Sequence, residues 1–178
     1  GDALGAGGEK LVEHHHALTG GTILRESLAA QELLAVDWGV AANVWSCPSF
    51  NELARDGQDC ERWNLLHPLE APRQSFVAQQ LDAHPGPVVA STDYMKNFAE
   101  QIRAFIPKGR AYKVLGTDGF GRSDTRSNLR RFFEVDRYYI AHAAVAALAT
   151  DGKLSAKDVS RAIKMYNIDP DKANPVGV

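Results

Sequence analysis

Along the chain, apolar positions spaced three and four apart alternate with short unbroken apolar runs; the first pattern belongs to helices and the second to buried strands. TILRESLAAQELLAVDWG is rich in Leu, Ala and Glu, has Thr22 where a cap belongs and ends at Gly39, which can close a helix in the left-handed region. A helix is predicted over 23–38. VAANVWSC, stopped by Cys47-Pro48, reads as a buried strand. SFNELARDGQDCERWNLLHPLEAPR is too charged and interrupted for one element, so a short helix near Phe50 to Arg55 and then a long loop are expected, of a length that is commonly functional or interfacial. Pro72 opens another helix, with Phe76, Val77, Gln80 and Leu81 on one face, and HPGP stops it. PVVAST is a second strand. Thr92 or Asp93 then caps the most regular helix of the chain, where Met95, Phe98, Ala99, Ile102, Phe105 and Ile106 repeat at three and four until Pro107. AYKVLG is a third strand, after which Asp124 caps a short helix ending at Phe132 or Phe133. DRYYIAHAAVAALATDG is apolar nearly all round, as a helix enclosed in a core would be. SAKDVSRAIKMYN opens with the capping pair Ser155 and Asp158 and buries a stripe of Val159, Ala162, Ile163 and Tyr166.

Alternating helices and strands predict a mostly parallel sheet of four or five strands covered on both faces. The 178 residues suit one domain, and 44% hydrophobic with 24% charged residues is ordinary globular composition. A net charge of −2 gives no general attraction to nucleic acid or anionic lipid. No apolar run reaches the roughly 18 residues of a membrane span and no signal peptide is visible, so a cytoplasmic protein is expected. Cys47 and Cys60 have no CxxC partner, which argues against a metal cluster or a disulfide framework and for reduced thiols. GDALGAGG and the adjacent His14, His15 and His16 point to a flexible arm or cloning remnant over 1–20, followed by a folded domain over 21–178. Neighbouring side chains diverge on helix and strand alike, so three consecutive histidines do not converge on one metal.

The densest chemistry is LGTDGFGRSDTRSNLRRFFEVD, residues 115–136. A Gly119-Phe120-Gly121 turn between a strand and a helix has the outline of a phosphate cradle, and Arg122, Arg126, Arg130 and Arg131 would add positive charge. It is neither GxGxxG nor GxxxxGK[ST], however, and Asp118 and Asp124 would repel an anion. The preferred reading is structural. Asp124 caps the helix, the glycines turn the chain, and the arginines pair with Asp118, Glu134, Asp136 or another chain. Around Cys60, the charges Arg55, Asp59 and Arg62 suggest a salt-bridged interface loop; a Cys60 nucleophile would need His67 as its base, which spacing does not establish. His84 reads as a turn residue and His142 as a satisfied core histidine. Trp38, Trp45 and Trp63 read as core or interface aromatics.

Four segments, SFNELARDGQDCERWNLLHPLE, ASTDYMKNFAEQIRAFIP, YKVLGTDGFGRSDTRSNLRRFFEVD and IDPDKANP, together with GTILRE at 21–26, resemble the C-terminal domain of the homodimeric, bacterial-type first components of pyruvate dehydrogenase complexes. The resemblance spans about residues 20–178 and implies a three-layer αβα fold, with a mainly parallel five-stranded sheet of the transketolase C-terminal type. It also implies a parent enzyme that uses thiamine diphosphate and magnesium, bound between its other domains, to decarboxylate pyruvate and acetylate a lipoyl group. Neither Gly1-Asp2-Ala3 nor the DGFG at 118–121 is the family's thiamine motif, so no cofactor or metal is expected in this segment and none of its residues is expected to be catalytic. The implied partners are the remaining domains, the second protomer and the lipoyl transferase, with no nucleic acid and no membrane. Arg55, Asp59, Arg62, Asp118, Arg122, Asp124, Arg126 and Arg130 are the candidate interdomain or anion contacts. The other expectations held open are a small-anion or nucleotide regulatory module and a Cys60–His67 catalyst. One departure stands out. EHHHALTGG replaces the strand that the family carries before its GTILRE segment, which predicts an altered or lost first strand and an exposed sheet edge open to self-association.

Overall fold

The computed structural model describes residues 14–177. It begins with β1 (His14–Thr19), a 3-10 turn over Gly21–Ile23, α1 (Leu24–Trp38) and β2 (Ala41–Ser46). Then follow α2 (Phe50–Leu66), α3 (Phe76–Asp82), β3 (Val88–Ser91), α4 (Lys96–Glu100), a 3-10 turn over Arg103–Phe105 and β4 (Tyr112–Leu115). The chain continues through α5 (Arg126–Phe132), α6 (Arg137–Thr150) and α7 (Ala156–Met165).

The sheet has the order β2-β1-β3-β4 with every pairing parallel, in register from His14↔Ala41 on one side of β1 and His16↔Val88 on the other. All four β3 residues are buried, as its unbroken apolar run requires of a strand covered on both faces. One core, built on Ile23, Leu34, Val89, Ile140 and Leu148, lies between the sheet and α1, α6 and α7. The other, built on Leu18, Phe50, Leu81, Val88 and Ile102, lies under α2, α3 and α4. This is the αβα architecture expected, with four strands among the described residues rather than five.

Several expectations change. The arm expected over 1–20 is replaced at residues 14–19 by β1, which sits inside the sheet between β2 and β3; residues 1–13 lie outside the described residues. The first strand is therefore present, and the edge that its loss would have exposed is not. Two backbone ladders on Ala17 to Thr19 hold this strand, and neither depends on which side chains it carries. Thr22 lies in the 3-10 turn and caps nothing; α1 does end at Gly39, with φ +66°. The segment read as a short helix and long loop is one 17-residue helix, α2, because Phe50, Ala54 and Gly57 recur on a buried face while the charges take the outer one. Gly57 serves that face: a Cβ there would stand 2.5 Å from the ring of Phe105.

Pro72 stays outside α3, which is capped by Ser75. The helix expected from 93 to 106 breaks after Glu100, where the Tyr112 hydroxyl donates to the Ala99 carbonyl at 2.8 Å and the chain tightens into a 3-10 turn. The α5 cap is Thr125, with Asp124 bonded beside it to Thr125 N and Asn128 Nδ2. α6 and the Ser155/Asp158 capping box of α7 are as predicted.

Candidate functional site

Connections leave the sheet to opposite sides after β1 and β3, so the carboxyl ends of these neighbouring strands form the crevice where open α/β sheets usually hold ligands. Three segments meet there: Gly20–Thr22 after β1, Thr92–Lys96 after β3 and Gly116–Arg122 after β4. They are tied by backbone and side-chain bonds. Gly20 N donates to Ser91 O at 3.0 Å and Thr117 N to Tyr94 O at 2.9 Å. The Thr117 hydroxyl donates to Asp93 O at 2.7 Å, and Lys96 N donates to Asp118 Oδ1 at 2.9 Å. Gly116 permits this approach, since a Cβ there would lie 2.7 Å from Lys96 N and 2.8 Å from Tyr94 O. Gly119 has φ +115°, and its Cβ would strike Pro175 O at 2.3 Å. Both glycines are thus explained by close backbone packing, with no phosphate required.

The resulting cleft, about 460 Å³, has Ile23, Leu129, Phe133 and Val135 on its apolar side and Arg122, Arg126, Arg130 and Asp93 around it. The charged groups differ in what already holds them. Arg130 donates to Glu26 Oε1 at 2.9 Å and to Thr22 O at 3.1 Å. Arg137 reaches the same carboxylate through its backbone N at 3.1 Å, Nε at 3.0 Å and Nη2 at 3.3 Å. Burial alone would raise the Glu26 pKa; the hydrogen bonds and charge of Arg137, then Arg130, outweigh it and hold the carboxyl below its ordinary value. Arg131 is likewise internal, donating to Asp136 and to the carbonyls of Tyr166 and Asn167. The Arg122 guanidinium lies over the Phe132 ring, 4.2 Å from its centroid. Arg126 is exposed and has no partner among the described residues. Asp93 accepts from the Thr22 hydroxyl at 2.6 Å through Oδ2, while its Oδ1 is buried without a hydrogen bond among the described residues.

The sequence-predicted set is therefore split. Arg122, Arg126 and Arg130 converge on the cleft, whereas Asp118 accepts from Lys96 N and Asp124 from Thr125 N and the Asn128 amide. Asp124 is held below its ordinary pKa by the Asn128 amide and then the Thr125 N–H. Arg55, Asp59 and Arg62 are on the outer face of α2, on the opposite side of the sheet from α5, and belong to a helix rather than a loop. Arg55 pairs with Glu52 at 3.0 Å, an exposed i,i+3 contact of little energetic weight. Of the expected arginine partners only Asp136 is confirmed; Glu134 instead accepts from Lys172.

Glu26, Arg137, Asp93 and Thr22 were not foreseen as site residues. Glu26 carried a signal, since an acid at helical spacing from Ile23 and Ala30 lies on the buried stripe and must find a partner.

Cys60 and His67 do not assemble. The His67 ring stacks on Trp63 at 4.4 Å with Nδ1 2.8 Å from Trp63 O, and burial and then Asp56 push the Cys60 thiol up. Cys47 is buried and pushed up to about 11. His84 packs edge-on to Trp45 with Nδ1 at 3.0 Å from Gln80 O. His142 is half-buried, burial lowers its pKa, and its Nδ1 has no hydrogen bond among the described residues, so it is not the satisfied histidine expected. Trp38 donates to the Tyr166 hydroxyl at 2.9 Å, and Trp63 lies under Arg73 at 4.1 Å. No helix among the described residues is long and apolar enough to cross a membrane.

Comparison with known proteins places this geometry. A model of the transketolase-like TK C-terminal domain matches residues 11–136. The chain is 60% identical over 161 residues to the Pyruvate dehydrogenase E1 component of Cupriavidus necator, covering 90% of this chain and 18% of the relative. It is 57% identical over 169 residues to that of Pseudomonas aeruginosa, covering 94% and 19%. To that of Escherichia coli it is 57% identical over 158 residues, covering 89% and 18%. The chain spans less than a fifth of the length of these curated relatives. With its parallel αβα sheet and the family match running from before β1 to the start of α6, the chain belongs to the transketolase-like TK C-terminal domain family.

Proposed function

We propose that this chain is the C-terminal domain of a thiamine diphosphate-dependent pyruvate dehydrogenase (acetyl-transferring), and that its role is assembly rather than chemistry. The observation that carries this reading is 57–60% identity to Pyruvate dehydrogenase E1 components over 89–94% of the chain. The residues themselves agree with a supporting role. Of the cations at the cleft, Arg130 is spent on Glu26 inside the domain, while Arg122 and Arg126 face outward where a neighbouring domain would meet them. Arg55, Asp59 and Arg62 make a second, separate contact region on α2. The partners are the remaining domains of the same enzyme, the second protomer and the lipoyl transferase, in the cytoplasm.

Thiamine diphosphate with magnesium supplies carbanion chemistry to the parent enzyme. Neither Gly1-Asp2-Ala3 nor the DGFG at 118–121 is the family's thiamine motif, and the Gly119 turn packs on Pro175 O, which supports a site for that pair in the parent enzyme's other domains. No catalytic step is assigned to this domain. A small-anion or nucleotide regulatory module has no support among the matched proteins.

The test is an assay of pyruvate decarboxylation with thiamine diphosphate and magnesium, on the 178-residue chain and on the full-length enzyme. Turnover by the full-length enzyme and none by the chain alone is expected. Turnover by the chain alone sinks the supporting role, and an inactive full-length enzyme sinks the parentage.

A further inference from the structure

The carboxyl-end face has the chemistry of a peptide-binding surface. Tyr94, Met95 and Phe120 are 66%, 55% and 75% exposed on the two segments that carry the cleft's Asp93 and Arg122; Tyr, Phe, Met and Arg are the residue types enriched where protein interfaces are buried. The cleft next to them has an apolar side of Ile23, Leu129, Phe133 and Val135, large enough at about 460 Å³ to take a bulky side chain. Arg126 has no partner among the described residues. The Arg122 guanidinium stacks on Phe132 and makes no hydrogen bond among the described residues, with the Asp124 carboxylate near enough to feel its charge; a guanidinium edge matches a carboxylate in two-pronged geometry.

Backbone groups point the same way. No backbone N–H from Gly119 to Ser123 donates a hydrogen bond among the described residues. Unpaired donors, two arginines without a hydrogen-bonded partner among the described residues and an apolar wall together complement a polypeptide, which carries carbonyls, a carboxylate and an apolar side chain. A phosphate supplies acceptors only and leaves the apolar wall of Ile23, Leu129, Phe133 and Val135 unmatched.

We propose that this face receives a segment of the rest of the parent enzyme in which an acidic side chain adjoins a large apolar one. The acid pairs with Arg122 and Arg126, the apolar side chain enters the cleft, and the segment's carbonyls accept from the 119–123 amides. The length of the relatives provides for such a segment, since this chain spans less than a fifth of them. The inference rests on the reading of the chain as a domain of that enzyme.

Hydrogen exchange in the full-length enzyme tests it. With no bond inside the domain, the amides of 119–123 exchange at the unprotected rate if the face is open, and about tenfold or more slower if a segment lies on it. The double substitution Arg122→Glu/Arg126→Glu is expected to return them to within about threefold of the unprotected rate, with the β3 amides unchanged as the control for folding. Should the double variant misfold, Arg126→Gln alters one exposed side chain and is expected to shift the same amides partway. Unprotected 119–123 amides in the wild type, or protection that neither substitution moves, overturns the proposal; so does protection that appears only on adding inorganic phosphate. Pyruvate decarboxylation by the same samples separates the two ideas. An active enzyme with open amides sinks only the docked segment, and protected amides in an inactive enzyme sink only the assigned parentage.

Discussion

Glu26→Gln isolates the interaction that fixes the cleft's inner wall. The Glu26 side chain is 9% exposed and receives charge-assisted bonds from Arg130, 16% exposed, and Arg137, 43% exposed. Glutamine keeps the volume but removes the charge and presents an N–H₂ group to one of two donors. Breaking a buried pair from one side costs about 3–5 kcal/mol, and because Arg137 can rehydrate, the lower end, about 3 kcal/mol, is expected. For a domain of this size that lowers the melting temperature by roughly 6–12 °C. Equilibrium unfolding in urea followed by circular dichroism gives the free energy, and a double-mutant cycle with Arg130→Met isolates the coupling. The sign with pH is fixed. The folded pKa of Glu26 is held below its ordinary 4.5, so its contribution is fully present above that value and is lost as pH falls through the folded pKa. The gap between wild type and variant should narrow below pH 4.5. A variant that melts within about 1 °C of wild type, or a gap as wide in acid as at neutrality, would refute the reasoning.

Gly57→Ala places a methyl group 2.5 Å from the Phe105 ring and should cost about 1–3 kcal/mol in urea unfolding, with Phe105→Leu restoring part of it. Gly119→Ala meets both a φ of +115° and Pro175 O at 2.3 Å; it should release residues 175–177, seen as faster proteolysis of the C-terminal tail. Iodoacetamide at neutral pH should label Cys47 and Cys60 more slowly than an unhindered thiol, since burial raises both. Rapid labelling of Cys60 would reopen the case for a nucleophile.

How legible the chain was follows from where each signal resided. The unbroken run at Val88–Ser91 and the all-round apolar α6 announced the buried centre, because backbone and burial there make the same demand. α2 was misread because Gly57 and a crowd of charges look like punctuation, while the ring of Phe105, distant in sequence, makes that glycine a packing requirement. Met95 to Ile106 erred the other way: the periodicity was real, but a hydroxyl from Tyr112 took the Ala99 carbonyl and shortened the helix. β1 was hidden behind three histidines because interior strand position is set by two neighbouring ladders, neither visible locally. At the cleft, the arginines were legible by their density. Which of them is free was not, since that depends on Glu26, 104 residues from Arg130.

The Lys172 ammonium donates to the Phe132 carbonyl and to Glu134, and the chain then runs on to set Pro175 against Gly119. Residues 172–175 therefore splint the end of α5 to the glycine loop on the far side of the cleft. Anything fused immediately behind that splint pulls on the loop that carries Arg122, so a purification tag at this end calls for a long, slack spacer.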